Sequence, residues 1–295
     1  MAGLELSFGF MLKRRSSTYA RVSRQYADAL TAQPAAAGGP PSVLLLGNSL
    51  LLDGVNEPRL HQLTSGTVRI YPIFLEGTGY HDWVYGLRRL FRRGARPQFV
   101  VIGLEVNTSL ENSVREEYGP MLLFDAGDVL DAASDLKMDR TETSNLLLAH
   151  YSAFWSTRAI FRRRILRSMV PGFEGLFPVI RRAQSVPQGA ELDTLAVPRL
   201  RNLRDLCEAN GATLLLLIPP TPSSEGAVRG MASAARKAGI QSLVPVDPAT
   251  LPERCYQADA IHLNPEGAAI FTPALANDLS RAVGTMWGFG SSGGP

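Results

Sequence analysis

The chain has 295 residues and a mass of 32.0 kDa, room for one large domain or for one domain with an insertion. Hydrophobic residues at 45% and charged residues at 19% exclude a disordered acidic tail and a coiled coil, and a net charge of +3 is too small to point to nucleic acid. With Cys207 and Cys255 as its cysteines, it is neither a disulfide scaffold nor a Cys-rich zinc module, and whether the two pair is left open.

In chain order, residues 1–12 are mostly apolar, and Lys13, Arg14 and Arg15 follow at once. A span needs about 20 apolar residues, so this run is either the remnant of an anchor helix or a short amphipathic turn that packs on the domain. Residues 14–32 read as a polar helix, and 34–41 as a loop of Ala, Gly and Pro. Residues 1–41 thus form an N-terminal helical segment and linker. Five short apolar runs then have the length and flanks of buried strands: 43–47, 68–74, 99–103, 213–218 and 242–246. Most are continuous rather than alternating, as parallel strands covered on both faces are. The second is broken by Arg69 and Pro72, which puts it at an edge.

Helices are expected between them. One follows Asn56-Glu57-Pro58, a cap and an early proline. Others cover 82–91, 195–209 (ended by Asn210-Gly211) and 225–238, and a last one covers 265–283 with Asn264 as its cap. Alternating strands and helices predict a three-layer α/β/α sandwich on a five-stranded parallel sheet. The stretch from Thr108 to Ala212 holds no good strand and reads as a helical insertion, about 109–192, with helices at 126–136 and 145–169. The domain is bounded at 42–286, with a flexible tail at 287–295.

In an open parallel sheet, ligands bind beyond the carboxyl ends of the strands. Four segments there carry chemistry. Gly47-Asn48-Ser49 follows the first strand, where a tight turn exposes a serine hydroxyl and its own N–H at the head of a helix. Gly77 and Gly79 follow the second and allow a backbone N–H close to a ligand. Asn107 follows the third, and its side-chain N–H₂ suits a developing oxyanion. Near the C-terminus, Asp259 precedes His262 by three residues. An acid there holds the Nδ1–H side of the ring and leaves Nε2 to take a proton from a serine. Each segment alone has an ordinary structural reading; their order and their places at element ends make them a set.

Taken together these residues resemble the SGNH/GDSL hydrolase superfamily over about 43–108 and 196–285. Gly47-Asn48-Ser49 is similar to G-D-S, and Gly77 (or Gly79) to the glycine of the second motif. Val100-Val101-Ile102 with Asn107 is similar to V-V-I-x-x-G-x-N-D, and Asp259 to Gly267 to D-x-x-H followed by L-N-x-x-G, the most specific match. Three residues depart from the pattern: Asn48 for Asp, Thr108 for Asp, and Glu105 for Gly. An ionised Glu105 about 6 Å from an oxyanion would cost roughly 3 kcal/mol at an effective dielectric near 20. It must therefore point away, pair with an arginine or be protonated.

The resemblance implies an esterase with Ser49 as nucleophile, His262 as base and Asp259 as the orienting acid. The oxyanion donors would be the N–H of Ser49, the N–H of Gly77 and the side chain of Asn107. Acetyl groups on a carbohydrate or a small ester are the expected substrate, with Gly79, Tyr80, His81 and Trp83 as candidates for a sugar subsite, core packing being as good a reading of Trp83. The alternatives are an O-acyltransferase of the same type and a catalytically impaired glycan-binding protein. No metal or organic cofactor and no nucleic acid is expected, and membrane association through the N-terminus is left open. An anchor there would make the chain membrane-associated or extracytoplasmic; otherwise it would be cytoplasmic. Within the insertion, Phe154, Trp155, Ile160, Phe161, Ile165, Leu166 and Met169 run among Arg158, Arg162, Arg163, Arg164 and Arg167. This is either a core-facing stripe with a solvated basic face or a lid or interfacial helix that meets anionic lipid or glycan.

Overall fold

Val43 to Leu46 is apolar without interruption, and all four residues are fully buried, as a central strand demands. The structure, a computed structural model of the chain, describes residues 2–170, 187–222 and 225–287. The expected tail beyond Trp287, residues 171–186 of the expected insertion and the side chain of Arg164 lie outside the described set.

In chain order, α1 (Ala2–Arg15) and α2 (Ser17–Ala29) precede β1 (Ser42–Gly47). Then come α3 (Ser49–Gly54), α4 (Glu57–Thr64), β2 (Arg69–Phe74), α5 (Tyr80–Arg92) and β3 (Phe99–Gly103). The helices α6 (Val106–Leu110), α7 (Gly119–Leu123), α8 (Ala126–Asp135), α9 (Arg140–Tyr151), α10 (Ala153–Met169) and α11 (Gly189–Glu208) follow. The chain continues with β4 (Thr213–Leu217), α12 (Glu225–Lys237), β5 (Gln241–Leu243) and α13 (Pro265–Trp287).

The chain divides into two units: Gln25–Tyr80, Leu90–Glu111 and Val186–Pro295 form a sheet unit, and Met1–Arg24, His81–Arg89 and Asn112–Ser185 form a helical unit. In the sheet unit the strand order is β2-β1-β3-β4-β5, and every pairing is parallel. Gly47 is level with Phe74 on one side and with Gly103 on the other, so the carboxyl ends of three strands share one rim. Val43, Leu45, Val101 and Leu215 point to one face and pack with Leu51 of α3, Leu60 of α4 and Phe271, Leu275 and Leu279 of α13. Alternate residues such as Leu44, Leu46, Val100 and Leu216 point the other way and are equally buried, and α11 and α12 pack against β4 and β5.

β2 lies at the edge, and one hydrogen bond shows why its proline fits. The N–H of Phe74 faces away from β1 and donates to Gln25 Oε1 at 3.1 Å. Pro72, two residues earlier and so on the same outer side, has no N–H to leave unpaired.

Several expected boundaries move. β5 ends at Leu243 rather than at residue 246, because Pro245 supplies no donor for a ladder. α11 begins at Gly189, six residues before the expected start, and runs through Pro198; its buried Leu192, Ala196, Val197, Leu200 and Leu203 outweigh the break. The expected helix 145–169 is two helices, α9 and α10. Ser152 between them is extended, and its side chain accepts from Trp155 N as an N-cap. The expected polar helix 14–32 is α2, Ser17–Ala29, which starts after α1 ends at Arg15, with Ser16 Oγ accepting from Tyr19 N at 3.1 Å. Among the described residues, no helix is long and apolar enough to cross a membrane. Cys207 and Cys255 are both free and buried.

Candidate active site

The first strand delivers the serine. A Cβ on Gly47 or on Gly103 would meet Leu51 Cδ1 at 2.5 Å, so both glycines let α3 settle onto the strand ends. Asn48 caps that helix: its Oδ1 accepts from Leu50 N at 3.0 Å, and its Nδ2 donates to Thr78 O at 3.2 Å. An aspartate could cap but could not donate to a carbonyl, so the asparagine at this position ties the first loop to the second. Ser49 is the first residue of α3.

The C-terminal segment brings the histidine to it across more than two hundred residues. His262 Nε2 is 2.7 Å from Ser49 Oγ, and His262 Nδ1 is 2.6 Å from Asp259 Oδ2. An ionised carboxylate only accepts, so Nδ1 carries the ring proton and Nε2 accepts from the serine O–H. The other oxygen of Asp259 accepts from Ile261 N at 2.9 Å and from His262 N at 3.1 Å. Burial works against the ionised Asp259, but these amides and the His262 ring outweigh it and hold its pKa below the ordinary value.

The loop that carries the pair is tightly bound. Ala260 is in the left-handed region at φ 56°, unusual for a residue with a Cβ. Gln257 N donates to His262 O at 2.7 Å, and Gln257 Nε2 donates to Asp53 Oδ2 at 3.1 Å, one turn beyond Ser49 on α3. Asn264 holds the entry to α13. Its Nδ2 donates to Arg254 O and Tyr256 O, and its Oδ1 accepts from Glu266 N and Gly267 N. A Cβ on Gly267 would sit 2.4 Å from Cys255 O, which explains the glycine three residues after that asparagine.

The second and third loops meet beside this line. Gly77 has φ 72°, and Gly79 passes so close to the third loop that a Cβ would lie 2.8 Å from Thr108 O. Glu105 does not turn away, and among the described residues no arginine pairs with it. It caps α6: Oε1 accepts from Thr108 N at 2.9 Å, and Oε2 accepts from Asn107 Nδ2 at 3.3 Å. Burial pushes its pKa up, and the Thr108 and Asn107 N–H groups only partly offset this. The structure therefore joins Ser49, His262 and Asp259 in one hydrogen-bonded line, with Gly77 and Asn107 on the adjoining loops and the Asn107 amide engaged by Glu105.

The aromatic residues after the second motif are not open platforms. Trp83 is fully buried, and so is unavailable to stack on a sugar. His81 is buried as well. Tyr80 is buried, its OH accepts from Asn202 Nδ2 at 2.8 Å, and the Arg199 guanidinium lies 5.1 Å above its ring. Among the described residues, no group of three or more His, Cys, Asp or Glu is placed to hold a metal ion. Sequence reasoning missed the Asn48 bridge and the Asp53–Gln257 tie. The one signal for the second was an acid four residues after Ser49, on the same face of α3.

No family model and no curated protein matches the chain. Among solved structures it is similar to the psychrotrophic esterase EstA from Pseudoalteromonas sp., in a form inhibited by monoethylphosphonate. Identity is 11% and TM-score 0.46, over 82% of this chain and 98% of that one. A candidate SGNH hydrolase from Slackia heliotrinireducens is 15% identical at TM-score 0.43, over 81% of this chain and 99% of that one. TesA is 14% identical at TM-score 0.42, over 83% of this chain and 99% of that one. Such likenesses say nothing of chemistry. By its sheet order the chain has a flavodoxin-like α/β/α fold.

Proposed function

We propose that the chain is a serine esterase that removes small acyl groups, acetyl on carbohydrate in the first instance, through Ser49, His262 and Asp259. One observation carries this reading: the unbroken line from Asp259 Oδ2 to His262 Nδ1 at 2.6 Å and from His262 Nε2 to Ser49 Oγ at 2.7 Å. In this reading Ser49 Oγ attacks the ester carbonyl carbon as its proton passes to His262 Nε2. The imidazolium that forms is stabilised by Asp259, whose depressed pKa keeps it ionised. The oxyanion is met by the N–H groups of Ser49 and Gly77 and by Asn107 Nδ2, each worth about 3 kcal/mol in the transition state. His262 then returns the proton to the leaving alkoxide. Water, activated by the same imidazole, attacks the acyl-serine and releases the carboxylic acid.

Glu105 supports a second reading, a fold that binds glycan with damped catalysis, because its carboxylate engages the amide of Asn107. Acetate release from an acetylated polysaccharide and from nitrophenyl acetate separates the two. The esterase reading expects release by the wild type and none above background by a folded Ser49→Ala variant. Equal rates for the two proteins would defeat it, and glycan binding without turnover would favour the second reading.

A further inference from the structure

Within the helical unit, α1 and α10 pack side by side. Glu5 accepts from Ser152 Oγ at 2.7 Å, at the start of α10. One turn further on, the Phe8 ring lies 4.8 Å from that of Phe154 and 5.7 Å from that of Phe161. A step forward along one helix is thus a step forward along the other, so the pair is parallel and the two C-terminal ends fall together. Both ends are basic. Lys13, Arg14 and Arg15 close α1, Arg162 and Arg163 lie in the second half of α10, and all five are exposed. Glu5 is the one acidic residue in the two helices, and it sits at the opposite end, on the cap of α10. Helix carbonyls favour a cation or two at a C-terminus, fewer than are gathered here.

The same end is apolar. Phe10 is 60% exposed, and Phe161, Ile165, Leu166 and Met169 are 41, 40, 37 and 73% exposed. Their spacing puts the last four on one side of α10, so this half of the helix leaves its apolar stripe in water. That overturns the expectation of a core-facing stripe for the second half of α10, whereas Ala153, Ser156 and Thr157 in the first half are buried. The Arg14 guanidinium lies 4.5 Å from the centre of the Phe10 ring, so charge and apolar surface are interleaved.

A surface of this kind matches one environment. Nucleic acid would neutralise the arginines but leave Ile165, Leu166 and Met169 wet. A neutral apolar partner would cover those residues but leave the cations opposite nothing. A bilayer with anionic headgroups answers both, because its charge lies immediately outside its acyl boundary. We propose that the shared basic end of α1 and α10 docks on the surface of an anionic lipid bilayer, with Phe10, Ile165, Leu166 and Met169 entering the headgroup boundary. The proposal is independent of the chemistry at Ser49.

Co-sedimentation of the full chain with vesicles tests it, using phosphatidylcholine alone and phosphatidylcholine with one-third phosphatidylglycerol. Binding is expected to the anionic vesicles at low salt, to weaken at high salt, and to be slight on neutral ones. R162S/R163S should weaken the partition by about 30-fold. I165S/M169S should weaken it by about tenfold or more. Both variants should keep the wild-type circular dichroism spectrum. No binding to anionic vesicles, or equal binding to neutral ones, would overturn the proposal. So would full binding by folded I165S/M169S, which would leave an acidic macromolecule as the partner, or a concentration-dependent dimer lost in that variant with no lipid binding.

Discussion

The His262 loop and the Glu105 loop each present a carboxylate to backbone amides, yet the two acids move in opposite directions. Asp259 accepts from two backbone N–H groups and from a ring N–H, and these outweigh its partial burial, so its pKa falls. Glu105 caps a single turn of helix, and there burial outweighs the amides, so its pKa rises. The difference is one of donors against desolvation. The first loop has its proton-handling line assembled. The second has the Asn107 amide, the donor proposed for the oxyanion, shared with a carboxylate.

The largest test of that contrast is Asp259→Asn. With the acid gone, the ring loses the partner that fixes its tautomer, and kcat on a nitrophenyl ester should fall by about 10⁴, by analogy with other serine hydrolases. A loss below about tenfold would mean that the line does no catalytic work. Next, Asn107→Ala should lower kcat by about 10²–10³ with little change in KM, as for an oxyanion donor. An unchanged kcat would remove Asn107 from the mechanism. Glu105→Gln should act the other way. It removes a negative charge from the donor, so at pH above the raised Glu105 value the rate should rise by about tenfold, short of the roughly hundredfold that a full charge about 6 Å from the oxyanion would give.

That gain depends on pH, and its sign is fixed. The folded protein holds the Glu105 proton more tightly than the unfolded chain does, because its pKa is raised. The charge is therefore absent at low pH, and the rate ratio of variant to wild type should approach one as pH falls through the raised value. The same linkage costs the wild type stability as pH rises from the ordinary glutamate range through that value. Asp259, with a lowered pKa, contributes stability above the ordinary aspartate range and loses it as pH falls through its folded value. Thermal melts of wild type and Glu105→Gln across acid pH read this directly, and a flat difference in Tm would contradict the assignment. The smallest expected effect is on packing. Gly79→Ala sets a Cβ 2.8 Å from Thr108 O, and should lower stability by about 1–3 kcal/mol in a denaturant titration.

Much of this was legible in the sequence, for physical reasons that can be named. Short apolar runs, two of them ended by glycine, placed four of the strands nearly to the residue, and Arg69 with Pro72 marked the edge. Asn264-Pro265 announced the start of α13, and Asp259 with His262 announced the pair. The failures lie where a short polar contact competes with a long pattern. Ser16 and Ser152 each break a helix whose periodicity runs on through them, because a hydroxyl cap replaces backbone bonds locally. Pro198 failed to limit α11, because packing outweighs propensity. Glu105 was foreseen as a difficulty but not as a helix cap, since glutamate seldom takes that place. Trp83 was unreadable because aromatic residues suit a core and a sugar platform equally.

The central claim is that Ser49 is a nucleophile made reactive by His262. A fluorophosphonate probe followed by peptide mass spectrometry reads it without a known substrate. The account predicts one adduct, on Ser49, that forms in the wild type, is absent in Ser49→Ala and forms far more slowly in a folded His262→Ala variant. A well-folded wild type that takes no probe, or takes it on another residue, would contradict the account.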